Sequence, residues 1–138
     1  MKAIHQILIV FIALMILIPN FSESNTNLPN PLLGSWTLKS MTKSGCKSAS
    51  DGNGVLPCSN DGFLKCAVTT YGANTYTTVS AGTPNVTGKY SIQGNTIITN
   101  EDNATQKMTF KVEGETLTVS TEPDSVSGCV IMLTYKKS

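Results

Sequence analysis

Reactive side chains are scarce in this 138-residue chain: one histidine, four cysteines and nine carboxylates. The histidine, His5, sits in the leading segment, and arginine is absent throughout. If that segment is removed, neither a Ser-His-Asp nor a Cys-His arrangement can be assembled. Glycoside hydrolysis would need two carboxylates, one with a pKa raised by burial. The candidates are Asp51, Asp61, Glu101, Asp102, Glu113, Glu115, Glu122 and Asp124, and each falls in a stretch that reads as turn or loop. Glu101-Asp102-Asn103 is too short for an EF-hand, which spaces its oxygen ligands over a much longer run. Asn85-Val86-Thr87 and Asn103-Ala104-Thr105 match the glycosylation sequon, as chance allows in a chain rich in Asn and Thr. The expectation is a protein that is not an enzyme and uses no metal or cofactor.

Cys46, Cys58, Cys66 and Cys129 lack the Cys-x-x-Cys knuckles and histidine partners of a zinc site. Their even number suits two disulfides, with the three possible pairings left open. Disulfides imply an oxidising compartment, and the start of the chain agrees. Lys2 supplies a positive charge, Ile7 to Ile18 form an unbroken apolar run, and Ser22-Glu23-Ser24 offers small residues at an exit. That is the pattern of a secretory signal over residues 1–24. The run is short of the roughly 20 residues of a membrane span, so no stable span is expected after cleavage. The expected destination is secreted or periplasmic.

A formal net charge of +1 argues against nucleic acid as a partner. The missing arginine argues further, since bidentate reading of guanine or phosphate is its particular strength. Charged residues make up only 14% of the chain, and the abundance of Thr, Ser, Asn and Gly favours strands and turns.

Residues 25–31, with two prolines, read as an extended N-terminal arm, and residues 32–138 as one domain. From Leu32 the sequence alternates, with Leu32, Gly34, Trp36, Leu38 and Ser40 on one face. Residues 42–62 have no period and read as a long loop held by two cysteines. Strand character follows at 63–71, 75–80, 85–92, 96–100, 104–112, 116–120 and 129–136, mostly across short turns. Glu113-Gly114-Glu115 reads as a hairpin turn with glycine in a left-handed position. Eight strands joined so closely must pair antiparallel in sequence. They close most naturally into an up-and-down barrel, the alternative being a two-sheet β-sandwich.

Three stretches resemble small bacterial lipocalin-like secreted proteins. Leu33-Gly34-Ser35-Trp36-Thr37-Leu38 resembles the Gly-x-Trp opening of their first strand. Cys58-Ser59-Asn60-Asp61-Gly62-Phe63-Leu64 resembles the Cys-x-x-Asp stretch before their second strand, and Gly88-Lys89-Tyr90 their Gly-x-Tyr hairpin. The resemblance implies a calycin-type barrel, with Gly34 and Trp36 as structural residues at one closed end and a cavity for a small apolar ligand towards the other. The arginine that often packs over the tryptophan near the last strand is missing, and Lys136 and Lys137 are the basic residues there.

The inward set is expected to comprise Trp36, Leu38, Val86, Tyr90, Ile92, Met108, Phe110, Leu117, Val119, Ile131, Leu133 and Tyr135. An eight-stranded interior is either filled by side chains or holds one small ligand. Tyr90, Met108, Phe110, Leu133 and Tyr135 are the candidate lining, apolar with a few hydroxyls. The second expectation is an extracellular protein-interaction module, of inhibitor or adhesion type. It would use the disulfide-tied rim 42–62, with all four cysteines gathered at one end of the barrel.

Overall fold

A computed structural model describes residues 29–138 apart from residues 49, 51, 102 and 103. The signal assigned to residues 1–24, and residues 25–28 of the arm, lie outside the described residues. The strands are β1 (Gly34–Ser44), β2 (Gly54–Pro57), β3 (Val68–Tyr71), β4 (Thr75–Val79), β5 (Val86–Gln93), β6 (Thr96–Glu101), β7 (Ala104–Glu113), β8 (Thr116–Thr121) and β9 (Val130–Lys137). From β3 to β9 each strand pairs antiparallel with the next. Strand β1 pairs with β3 on one side and β9 on the other, which closes an eight-stranded up-and-down barrel. The fold is compatible with a lipocalin-like barrel and excludes the two-layer sandwich. Among the described residues no helix is long and apolar enough to cross a membrane.

The ninth strand, β2, was not expected. It occupies part of the region assigned to a loop at 42–62, whose start is the end of β1. Strand β2 lies on the same edge of β1 as β3, with Thr42 opposite Val55 and Trp36 opposite Thr69. Together β2 and β3 make one interrupted strand. Residues 58–67 leave the barrel wall between them, and two bonds anchor the exit and return: Cys58 N–H to the Lys39 carbonyl and Leu38 N–H to the Ala67 carbonyl, both 2.8 Å. The Cys58–Cys66 disulfide closes the base of this excursion. Phe63 belongs to it rather than to a strand, and is 93% exposed.

The alternation of β1 breaks where the excursion leaves. Leu38 faces Tyr135 across the β1–β9 pair, Ser40 faces Thr134, and the register shifts between them. Lys39 is the extra residue of a bulge. Beyond it Met41 stands opposite Leu133, and Lys43 opposite Ile131. Directly opposed residues share a face. The bulge therefore brings Met41 and Lys43 to the inner side, against the expectation for an unbroken period of two.

The two ends of the barrel differ. At one end the connections are tight: Gly94-Asn95 and Gly114-Glu115 are two-residue hairpin loops with positive φ at Gly94 (60°) and Gly114 (57°). Primed turns of this kind match the twist of the strands they join, and glycine supplies the positive φ without a Cβ clash. The core collects here: Leu32, Trp36, Tyr90, Ile97, Leu117 and Val119 are buried against one another. Leu32 reaches it from a turn before β1 and not from a strand. Its carbonyl accepts a 2.7 Å hydrogen bond from Trp36 Nε1, so the indole N–H is satisfied although the side chain is 0% exposed. Lys137 Nζ stands 5.4 Å from the centroid of the Trp36 ring. A lysine thus occupies the position over the tryptophan for which the sequence offered no arginine, close enough for cation–π attraction.

The other end carries the longer connections 45–53, 80–85 and 122–129. Cys46 and Cys129 are bonded there, just past the Ser44–Val130 pair that begins the β1–β9 seam. Asp124 organises the facing turn, its carboxylate accepting from the Ser127 N–H (2.7 Å), the Ser127 hydroxyl (2.8 Å) and the Val126 N–H (3.2 Å). These bonds, led by the Ser127 backbone, hold its pKa below the ordinary carboxylate value. The four cysteines do not gather at one rim: Cys58–Cys66 sits beside Leu38 and Lys39, partway down the wall, because the interrupted strand places it there.

Candidate functional site

The interior of the barrel is not filled. Above the floor lies a cavity of about 150 Å³. Six strands contribute to its wall: Thr69 and Tyr71 from β3, Tyr76 and Thr78 from β4, Thr99 from β6, Gln106 and Met108 from β7, Val119 from β8, and Leu133 and Tyr135 from β9. Their positions follow from register. Thr69 opposes Thr78 and Tyr71 opposes Tyr76 across one pair of strands, and Val119 opposes Leu133 across another.

Of the five candidate lining residues, Met108, Leu133 and Tyr135 are part of the wall of this cavity, and Tyr90 and Phe110 are not. Tyr90 is 6% exposed and packed into the core, with its hydroxyl donating to the Gly72 carbonyl (2.6 Å) and accepting from Asn30 Nδ2 (2.6 Å). It locks the arm and the β3–β4 turn to the floor. Phe110 packs against the same core. Val86 lies opposite Thr78 at the mouth and is 50% exposed, so it is no core residue.

The residues missed are chiefly hydroxyl-bearing. Thr69, Thr78 and Thr99 carry no hydrophobic signal, yet Thr69 and Thr99 are the two buried polar residues among those described. The only sequence clue was parity: Tyr71 shares a face with Thr69, and Tyr76 with Thr78. The Thr69 and Thr78 hydroxyls satisfy each other at 3.0 Å. Tyr71 meets Tyr90 edge-on with centroids 5.2 Å apart and lies 6.2 Å from Tyr76.

A glycine makes room for this aromatic wall. Gly88 lies opposite Tyr76, and a Cβ there would come within 2.6 Å of the Tyr76 ring. The Gly88-Lys89-Tyr90 stretch thus has a local physical basis: the glycine lets one tyrosine lie across the strand while Tyr90 closes the floor.

The lining is electrically neutral. Burial, followed by the nearby Tyr135 and Tyr90 phenols, pushes the Tyr71 pKa well above the ordinary phenol value. Burial raises that of Tyr135 as well, opposed by a hydrogen bond with Thr69. Both phenols stay protonated at physiological pH and can donate. No carboxylate or ammonium group is part of the wall. The inner-face cation Lys43 is nearer the mouth, at the level of Ile131.

A wider groove of about 690 Å³ lies at the closed end, between Pro29, Asn30 and Pro31 of the arm and Tyr90, Ser91 and Ile92 of β5. It is open to solvent along the arm, and its lining brings few side-chain polar groups together. The interior cavity, where side chains from six strands converge and tyrosine and threonine hydroxyls meet apolar groups, is the better-built site. Comparison with known proteins adds no assignment: no family model, curated protein or solved structure matches the chain.

Proposed function

We propose that this chain is an exported lipocalin-like protein, of the small bacterial kind, that binds a small molecule inside its barrel and catalyses no reaction. The observation that carries the reading is the cavity of about 150 Å³ inside the barrel, open towards the mouth, apolar at Met108, Val119 and Leu133 and hydroxyl-rich elsewhere. Export is supported by the signal pattern of residues 1–24 and by two disulfides, which suit an oxidising extracellular or periplasmic compartment. Binding without catalysis is supported by the neutral lining, which offers no general acid or base with a pKa near neutrality.

A second reading is an interaction module of inhibitor or adhesion type. It is favoured by β2, where Val55 is 68% and Leu56 37% exposed, and by the exposed Phe63 of the excursion that follows it. Native mass spectrometry of the protein isolated from its own compartment separates the two. Binding in the barrel predicts a discrete small adduct that survives Val55→Ser and Leu56→Ser. A protein partner lost with those substitutions, and no small adduct, would transfer the function to the rim.

A further inference from the structure

We propose that the interior site is built for a neutral single-ring aromatic molecule bearing a hydrogen-bonding substituent, a phenol-class ligand, and not for an acyl chain or an anion. The inference rests on the reading that the barrel binds a small molecule, and narrows its ligand class. Size is the first argument. A cavity of about 150 Å³ equals the volume known to accommodate a benzene ring in an engineered protein core. A long acyl chain cannot bury its length here: the floor is fixed by Trp36 and its bond to the Leu32 carbonyl, and most of the chain would project through the open mouth into water.

The second argument is the distribution of contacts. Tyr71 and Tyr76 present rings on one side, and Met108 offers a thioether, a favourable neighbour for an aromatic edge. The third argument is hydrogen bonding. Among the described residues, the Thr99, Tyr71 and Tyr76 hydroxyls make no hydrogen bond to protein, whereas Thr69 and Thr78 bond each other. None of these hydroxyls is fully shut off from solvent, so a ligand that displaces that solvent must bring a hydrogen-bonding group of its own or leave them unpaired. The fourth argument is charge. A carboxylate drawn inside would lose its hydration with no cation in the wall to compensate.

Calorimetry on the full chain with phenol, toluene, benzoate and dodecanoate tests the assignment. Phenol should bind one-to-one, at least tenfold more tightly than toluene or benzoate, with no saturable binding of dodecanoate. Thr99→Val, which removes a hydroxyl at nearly constant volume, should weaken phenol severalfold and leave toluene unchanged, with the same Tm as the parent. One-to-one binding in which benzoate, dodecanoate or toluene equals or exceeds phenol would overturn the ligand class while leaving an interior site standing. No binding of any of the four probes would overturn both.

Discussion

Gly88 and Tyr76 show how much of the site depends on single atoms. A Cβ at position 88 would meet the Tyr76 ring at 2.6 Å, so the ring or the backbone must move. Overpacking of this kind costs about 1–3 kcal/mol. Gly88→Ala is expected to lower the urea midpoint accordingly and to change the cavity wall, whereas Gly82→Ala, with open space around it but a φ of 76°, should incur only backbone strain. The buried phenols give a second test at this scale. Tyr71 and Tyr135 hold their protons more tightly in the folded chain than in the unfolded one. Their contribution to stability is complete below the unfolded pKa of about 10 and declines as pH rises above it. Absorbance at 295 nm during an alkaline titration should show these two tyrosines ionising only as the protein unfolds. Full ionisation with native circular dichroism would contradict their burial.

Among the elements, the strands that alternate without interruption were the legible ones. Val86 to Gln93, Ala104 to Glu113 and Thr116 to Thr121 lie within a residue or two of expectation because each has a clean period of two, and two of the intervening hairpins are marked by Gly94 and Gly114. The Lys39 bulge was hidden because a one-residue insertion leaves no compositional trace, yet it reverses the faces of everything after it in β1. Strand β2 was hidden for a related reason: Gly54-Val55-Leu56-Pro57 is short and exposed, and depends on β1 for pairing. The bulge is testable. Met41→Lys should destabilise by about 1–3 kcal/mol, the cost of forcing a polar group against an inner face. Thr42→Lys, on the opposite face, should stay within about 0.5 kcal/mol, the usual range for surface substitutions. Equal effects would mean the phase does not shift.

The disulfides belong to the same scale. Cys46–Cys129 spans 83 residues and Cys58–Cys66 only 8. Chain-entropy arguments give about 4–5 kcal/mol for the first and about 2–3 kcal/mol for the second. Urea unfolding of Cys46→Ala/Cys129→Ala should therefore show the larger loss, and Cys58→Ala/Cys66→Ala the smaller. The reverse order would show that the excursion 58–67 contributes more to the wall than its loop length implies.

For the whole molecule, β1 is the strand on which closure depends, since it is shared by β3, β9 and β2. The closed barrel was readable from eight short strands and tight turns. The content of its interior was not, because hydropathy selects Tyr90 and Phe110, which fill the core, and passes over Thr69, Thr78 and Thr99, which face the cavity. Burial inside a closed barrel depends on height along the axis as well as on parity, and height follows from register. The most direct test of an interior binding site is the position of a bound ring, read from intermolecular NOEs in isotope-filtered NMR with phenol. Contacts from its ring protons to the Met108 and Leu133 methyl groups are predicted, with none to Val55 or Phe63. NOEs confined to Val55, Leu56 or Phe63 at the outer surface, with Met108 unperturbed, would contradict the account.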